Sequence, residues 1–86
     1  MTNEQIDNFL QKNQFEKTRI KVSFKTRNAI NGMFIKTADY DELRSKNFWR
    51  IVNESNVEKY QRSKDISLAR IFSGVEITKL SAVEPL

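Results

Sequence analysis

Residues 18 to 25 alternate without a break: Ile20, Val22 and Phe24 take the even positions, and Arg19, Lys21, Ser23 and Lys25 the odd ones. Side chains on a strand point to opposite faces in turn, so this stretch is expected to lie with one face in a hydrophobic core and the other in water. A chain holding such a strand is committed to a sheet with an apolar layer beneath it. With 86 residues and no cysteine, it has room for one modest core and no disulfide to reinforce it. A single domain spanning 1–86 follows.

The segment ahead of the strand has a different period. Thr2, three residues before Gln5, has the form of a capping box, and Ile6, Phe9 and Leu10 fall at i, i+3 and i+4. This spacing predicts a helix over 3–13 whose narrow apolar stripe docks on the sheet. The alternating strand is expected over 18–26. It turns through Thr26-Arg27-Asn28 into a second strand over 29–37, where Gly32 permits sharp bending or close approach of another backbone. Asn47-Phe48-Trp49-Arg50-Ile51-Val52 carries the bulky residues that strands favour and predicts a third strand over 47–53. Residues 37–46 read as a polar loop. In residues 53–64 only Val57 and Tyr60 are apolar, and they read as a long hairpin connection. Alternation returns over 65–71 through Ile66 and Leu68, and over 75–80 through Val75 and Ile77. The break between them is too short for a crossover helix, and residues 81–86 read as a tail.

Several chemistries are excluded by composition. Without Cys or His there is no thiolate nucleophile, no imidazole base and no usual zinc ligand. A carboxylate pair or a lysine could act only in a concave, desolvated pocket, and so small a domain has little interior to make one. Neither catalysis nor a cofactor is expected. Asp39, Asp41 and Glu42 cluster, but an EF-hand loop begun at Asp39 would need Gly and Glu where Arg44 and Arg50 stand. Asp39 is read instead as stabilising its own turn. No basic stretch followed by an apolar one opens the chain, and the longest apolar run is Met33 to Ile35. Neither a signal peptide nor membrane contact is expected, and a cytoplasmic location fits the lack of cysteine.

Ile20-Lys-Val22-Ser-Phe24, then Ile30-Asn-Gly32-Met-Phe34, then Asp39 and Asn47-Phe48, resemble the first motif of Sm-like proteins, the family that includes Sm, Lsm and the bacterial RNA chaperone Hfq. Ile71-Phe-Ser73-Gly74-Val-Glu-Ile77-Thr-Lys-Leu80 resembles the second motif, in which a Gly is followed at +3 and +6 by aliphatic residues. Both glycines of the chain land where that family places one. The resemblance covers roughly residues 18 to 80. It implies a mainly β fold, an N-terminal helix followed by a five-stranded, strongly bent SH3-like barrel. Ser73 stands where the family usually has Arg, the loop ahead of Asn47 is longer than usual, and the chaperone's Lys-His pair is absent.

Lys17, Arg19, Lys21, Lys25 and Arg27 fall in eleven residues without an acid, which leaves the rest of a chain of net charge +4 nearly neutral. Arg19, Lys21, Lys25 and Arg27 would share the outward face of the first strand as a stripe about 25 to 30 Å long. Such a stripe could track a phosphate backbone, and it could equally keep the strand solvated and discourage edge pairing. A base also needs a planar group to stack on and a polar neighbour to read its edge. The resemblance implies that the loop before the third strand and the turn before the fifth line an RNA-binding pore. It points to Asn47, to Tyr40 as a stacking group, and to Arg70 as a substitute for the missing Arg. Trp49 is read as half-buried packing. Val75, Ile77 and Leu80 would lie on an edge in need of a partner. The resemblance implies a homo-oligomeric ring that pairs strand four of one copy with strand five of the next. Non-catalytic binding of single-stranded RNA is one expectation, and an SH3-like module that binds protein is the other.

Overall fold

The computed structural model describes residues 1–85, and Leu86 lies outside it. Helix α1 (Asn3–Lys12) starts as its capping residues require. The Thr2 hydroxyl accepts from the Gln5 amide at 3.2 Å, and the Gln5 side chain accepts from the Thr2 amide at 3.0 Å. There follow β1 (Thr18–Phe24), β2 (Ile30–Phe34), α2 (Tyr40–Ser45), β3 (Phe48–Asn53), α3 (Glu54–Ser63), β4 (Ala69–Ser73) and β5 (Ile77–Pro85). Single 3-10 turns at Ile66–Leu68 and Gly74–Glu76 lead into the last two strands. All pairings are antiparallel, and the order across the sheet is β4-β3-β2-β1-β5. No helix among the described residues is long and apolar enough to cross a membrane.

An N-terminal helix and a five-stranded antiparallel sheet are therefore present, but the fold is mixed α/β, and the sheet is not closed by a ladder between β4 and β5. It is strongly curved all the same. Phe24 on β1 and Phe72 on β4 have two strands between them in the sheet, yet their rings stand 5.5 Å apart. In a flat sheet three strand spacings would separate them by about 14 Å.

Both segments read as loops contain helices. In α3, Asn53 caps the first turn through its side chain, which accepts from the Ser55 amide, and Val57 and Tyr60 fall three apart on the buried face. Lys64 closes the helix in a left-handed conformation with φ 56°. In α2 the buried residue is Tyr40. The late strands are also displaced. Residues 65–68 form a capped turn, so β4 begins only at Ala69, and β5 begins at Ile77 and runs through the expected tail to Pro85. Ladder bonds to β1 hold it there, with Val22 opposite Leu80 and Lys21 opposite Ser81.

The core lies in two layers on opposite faces of the sheet. On the inner face α1 and α2 pack Ile6, Leu10 and Tyr40 against Ile20, Val22, Phe34, Trp49, Ile51, Ile77 and Leu80. On the outer face α3 packs Val57 and Tyr60 against Met33, Ile35 and Val52. Trp49 is fully enclosed rather than half-buried, and its indole N–H donates to the Asn47 side chain at 2.8 Å. Ile77 and Leu80 are likewise in the core. Of the apolar residues expected on the last edge, only Val75 is exposed. Gly32 leaves room for the β3 backbone: a Cβ there would stand 2.6 Å from the Val52 carbonyl oxygen.

Candidate nucleic-acid interface

The basic stripe divides into two groups. Lys21 is exposed on the outer face of β1, where Asn31 and Ser81 flank it, and Lys79 on β5 pairs with the neighbouring Ser23. Arg19 shares this face, with its Nε 3.9 Å from Glu54 at the head of α3. Lys17 precedes the strand and is exposed. Lys25 follows it, its amide donating to the Glu76 carbonyl.

Arg27 does not share that face. β1 ends at Phe24, so alternation no longer governs the residues beyond. Arg27 turns back across the mouth of the curved sheet, its guanidinium carbon 5.2 Å from the centre of the Phe24 ring and 5.5 Å from that of Phe72. These are cation–π distances, and they rest the exposed Arg27 guanidinium against two half-buried aromatic rings.

Two concavities meet at this point. One, of about 320 Å³, is lined by Phe24, Thr26, Arg27, Ile71, Phe72, Ser73 and Glu76. The other, of about 240 Å³, is lined by Arg27, Arg70, Phe72, Ile30, Ile51 and Leu68, together with Asn53, Ser55 and Asn56 at the start of α3. Arg27 and Phe72 line both, so the two adjoin along a groove at the seam between the β1–β2 connection and β4. Two of the expected basic residues, Arg27 and Arg70, are brought together there.

The other expected residues are placed differently. Tyr40 cannot act as a base-stacking platform, because it is 8% exposed and packs edge-on with Phe15 and Trp49. Its hydroxyl donates to Asp7 on α1 at 2.7 Å, and burial together with that carboxylate pushes its pKa far above the ordinary tyrosine value. Asn47 adopts a left-handed conformation, φ 59°. Its side chain accepts from Trp49 and donates to the Met1 carbonyl, while its own carbonyl accepts from the Gly74 amide at 2.8 Å. Gly74 is required there, since a Cβ would stand 2.1 Å from the Asn47 Oδ1. The two motif positions of the sequence thus meet in space, with the Asn47 amide engaged by the protein itself. Asp39 accepts from Arg50 at 2.8 Å and from the Thr37 hydroxyl, and the guanidinium is the main cause of its lowered pKa. No group of acidic side chains among the described residues is arranged to hold a metal ion.

Sequence reasoning missed Phe24, Phe72, Glu76 and Lys79. One signal was available for Phe72: Arg70 and Phe72 are two apart on a strand and must share a face, as a cation and an aromatic ring side by side. No family model matches this chain, and neither does any curated protein or solved structure with which it was compared.

Proposed function

We propose that this protein is a non-catalytic, Sm-like binder of single-stranded RNA. The observation that carries the reading is the seam groove, where Arg27 lies on Phe24 and Phe72 with Arg70 lining the adjoining wall. A groove holding two guanidinium groups and two aromatic rings offers both things a single strand needs, charge for its phosphates and π-faces for its bases. Lys25 just beyond β1 adds positive charge, as do Lys21 and Lys79 on the outer face of β1 and β5. The meeting of Asn47 with Gly74 and the sheet order support the Sm-like reading of the fold as a bent barrel. The order leaves β4 and β5 as the two edges, which are the strands a ring of copies would join.

Gel-shift titration against U-rich and A-rich single strands at two salt concentrations tests the binding. Affinity should fall with salt by a slope of about −0.7 per neutralised phosphate. Arg27→Ala with Arg70→Ala should abolish the shift, and Lys21→Glu with Lys25→Glu should weaken it. No binding at low salt overturns the reading. Light scattering tests assembly: the ring requires a mass well above 10.1 kDa, and a strict monomer at tens of micromolar excludes it. A second reading, a module that binds protein through an edge strand, is favoured by the exposure of Ile71 on β4 and Val83 on β5. It would gain if the chain stayed monomeric and bound no RNA.

A further inference from the structure

The larger concavity of the seam carries charges of both signs. Arg27 lies on its aromatic wall, and the exposed Glu76 stands on the 3-10 turn that leads into β5. The Glu76 backbone is fixed by the Lys25 amide, which donates to its carbonyl at 3.0 Å. Among the described residues, no hydrogen bond or ion pair engages its carboxylate. The Ser73 hydroxyl, by contrast, is turned toward its own backbone, where it accepts from the Val75 amide. Beside the Thr26 hydroxyl, which can donate or accept, the charged groups left to a ligand in this cavity are one that only accepts, the Glu76 carboxylate, and one that only donates, the Arg27 guanidinium.

This pairing discriminates among the bases. A carboxylate needs two adjacent donors to be satisfied by a planar base. Guanine presents them in its ring N1–H and exocyclic N2–H2. Uracil sets its one N–H between two carbonyls. Adenine and cytosine each set an amino group beside a bare ring nitrogen, so in all three the second carboxylate oxygen would face a lone pair. The adjoining edge of guanine carries O6 and N7, the acceptor pair that a guanidinium grips in bidentate fashion. Guanine is thus the one common base with a donor pair for Glu76 and an acceptor pair for Arg27. The cavity, at about 320 Å³, is large enough for a single nucleotide, and Phe72 supplies a face for stacking.

We infer that the seam cavity is a guanine-selective base pocket, read by Glu76 and Arg27. The inference rests on the RNA-binding reading and names the base that reading leaves open. The test uses the full chain with GMP, AMP, CMP and UMP. Each is followed by the amide signals of Thr26, Ser73 and Glu76 in NMR titration, in parallel with five-nucleotide single strands containing one G or none. GMP is expected to bind at least about tenfold more tightly than the other three. Glu76→Gln, at an exposed position, should fold normally and reduce that preference to about twofold or less, because the amide offers one donor and one acceptor. Equal affinity for all four nucleotides, or a preference that survives Glu76→Gln, overturns the inference. RNA binding without a preference for G also overturns it while leaving the RNA reading standing. GMP-selective shifts at these three amides without affinity for any RNA support the pocket and sink the RNA reading.

Discussion

The two faces of the sheet are built to different standards. The inner face buries ten residues from two helices and four strands, whereas the outer face buries five where α3 alone covers it. α3 covers only part of the outer face, over β2 and β3 with the start of β4 beside them. Over β1 and β5 that face is open to water, and there the chain places Arg19, Lys21 and Lys79. The difference shows where stability and exposed charge reside. Inner residues hold the domain together, the covered outer half holds one helix in place, and the open outer half carries Lys21 and Lys79 into water, with Arg19 at its border beside Glu54 of α3.

Truncation should separate the faces most sharply. Phe34→Ala empties the centre of the inner layer and should cost about 3–5 kcal/mol, read as a lower midpoint in urea unfolding. Val57→Ala removes about two methylenes' worth of apolar contact from the outer layer and should cost about 1.5 kcal/mol. In hydrogen exchange it should loosen the α3 amides and leave those of β1 unchanged. Equal costs, or exchange that rises everywhere together, would show that the two layers open as one unit. Tyr40→Phe probes the clamp between α1 and α2 on the inner face. It deletes the hydroxyl bonded to Asp7 and keeps the ring, so about 0.5–1.5 kcal/mol should be lost with no change in fold by circular dichroism.

The smallest effect concerns the rim of the outer face, where Arg50 on β3 meets Asp39 at the start of α2. Because Arg50 holds the Asp39 pKa below its ordinary 3.8, the carboxylate binds protons more weakly in the folded chain than in the unfolded one. Its contribution is present in full above the ordinary aspartate range and is lost as the pH falls through the lower, folded value. Urea midpoints measured from pH 6 down to pH 2 should therefore decline less steeply in Asp39→Asn than in the parent. Parallel declines would show that the pair contributes nothing.

The same asymmetry decides what could be read from the sequence. β1 was legible because one of its faces meets water, which writes polar residues between Ile20, Val22 and Phe24. β2 and β3 are covered on both faces, and their apolar residues run together as Met33-Phe34-Ile35 and Ile51-Val52. Such runs already call for a layer on each side. The second layer is α3, hidden because a ten-residue helix that buries little more than Val57 and Tyr60 differs only slightly from a polar loop. Its cap Asn53 and the three-residue spacing were the remaining signs. The seam groove was out of reach for another reason. Arg27 enters it from the connection that follows Phe24, where strand alternation no longer sets the direction of a side chain.

The pairing of β1 with β5 has a further consequence, for the order of assembly. β2 can fold onto β1 as soon as the first hairpin exists, but the other edge of β1 waits for the strand farthest from it in the chain, since Val22 is matched by Leu80. Contacts of such long sequence separation form late and slow the search. Throughout that interval β1 is an unpaired edge with an apolar face, the kind of template on which neighbouring chains aggregate. Arg19 and Lys21 on β1, with Lys25 just beyond it, repel a second copy, so the charges of the outer face in the finished domain also act as gatekeepers while the chain is incomplete.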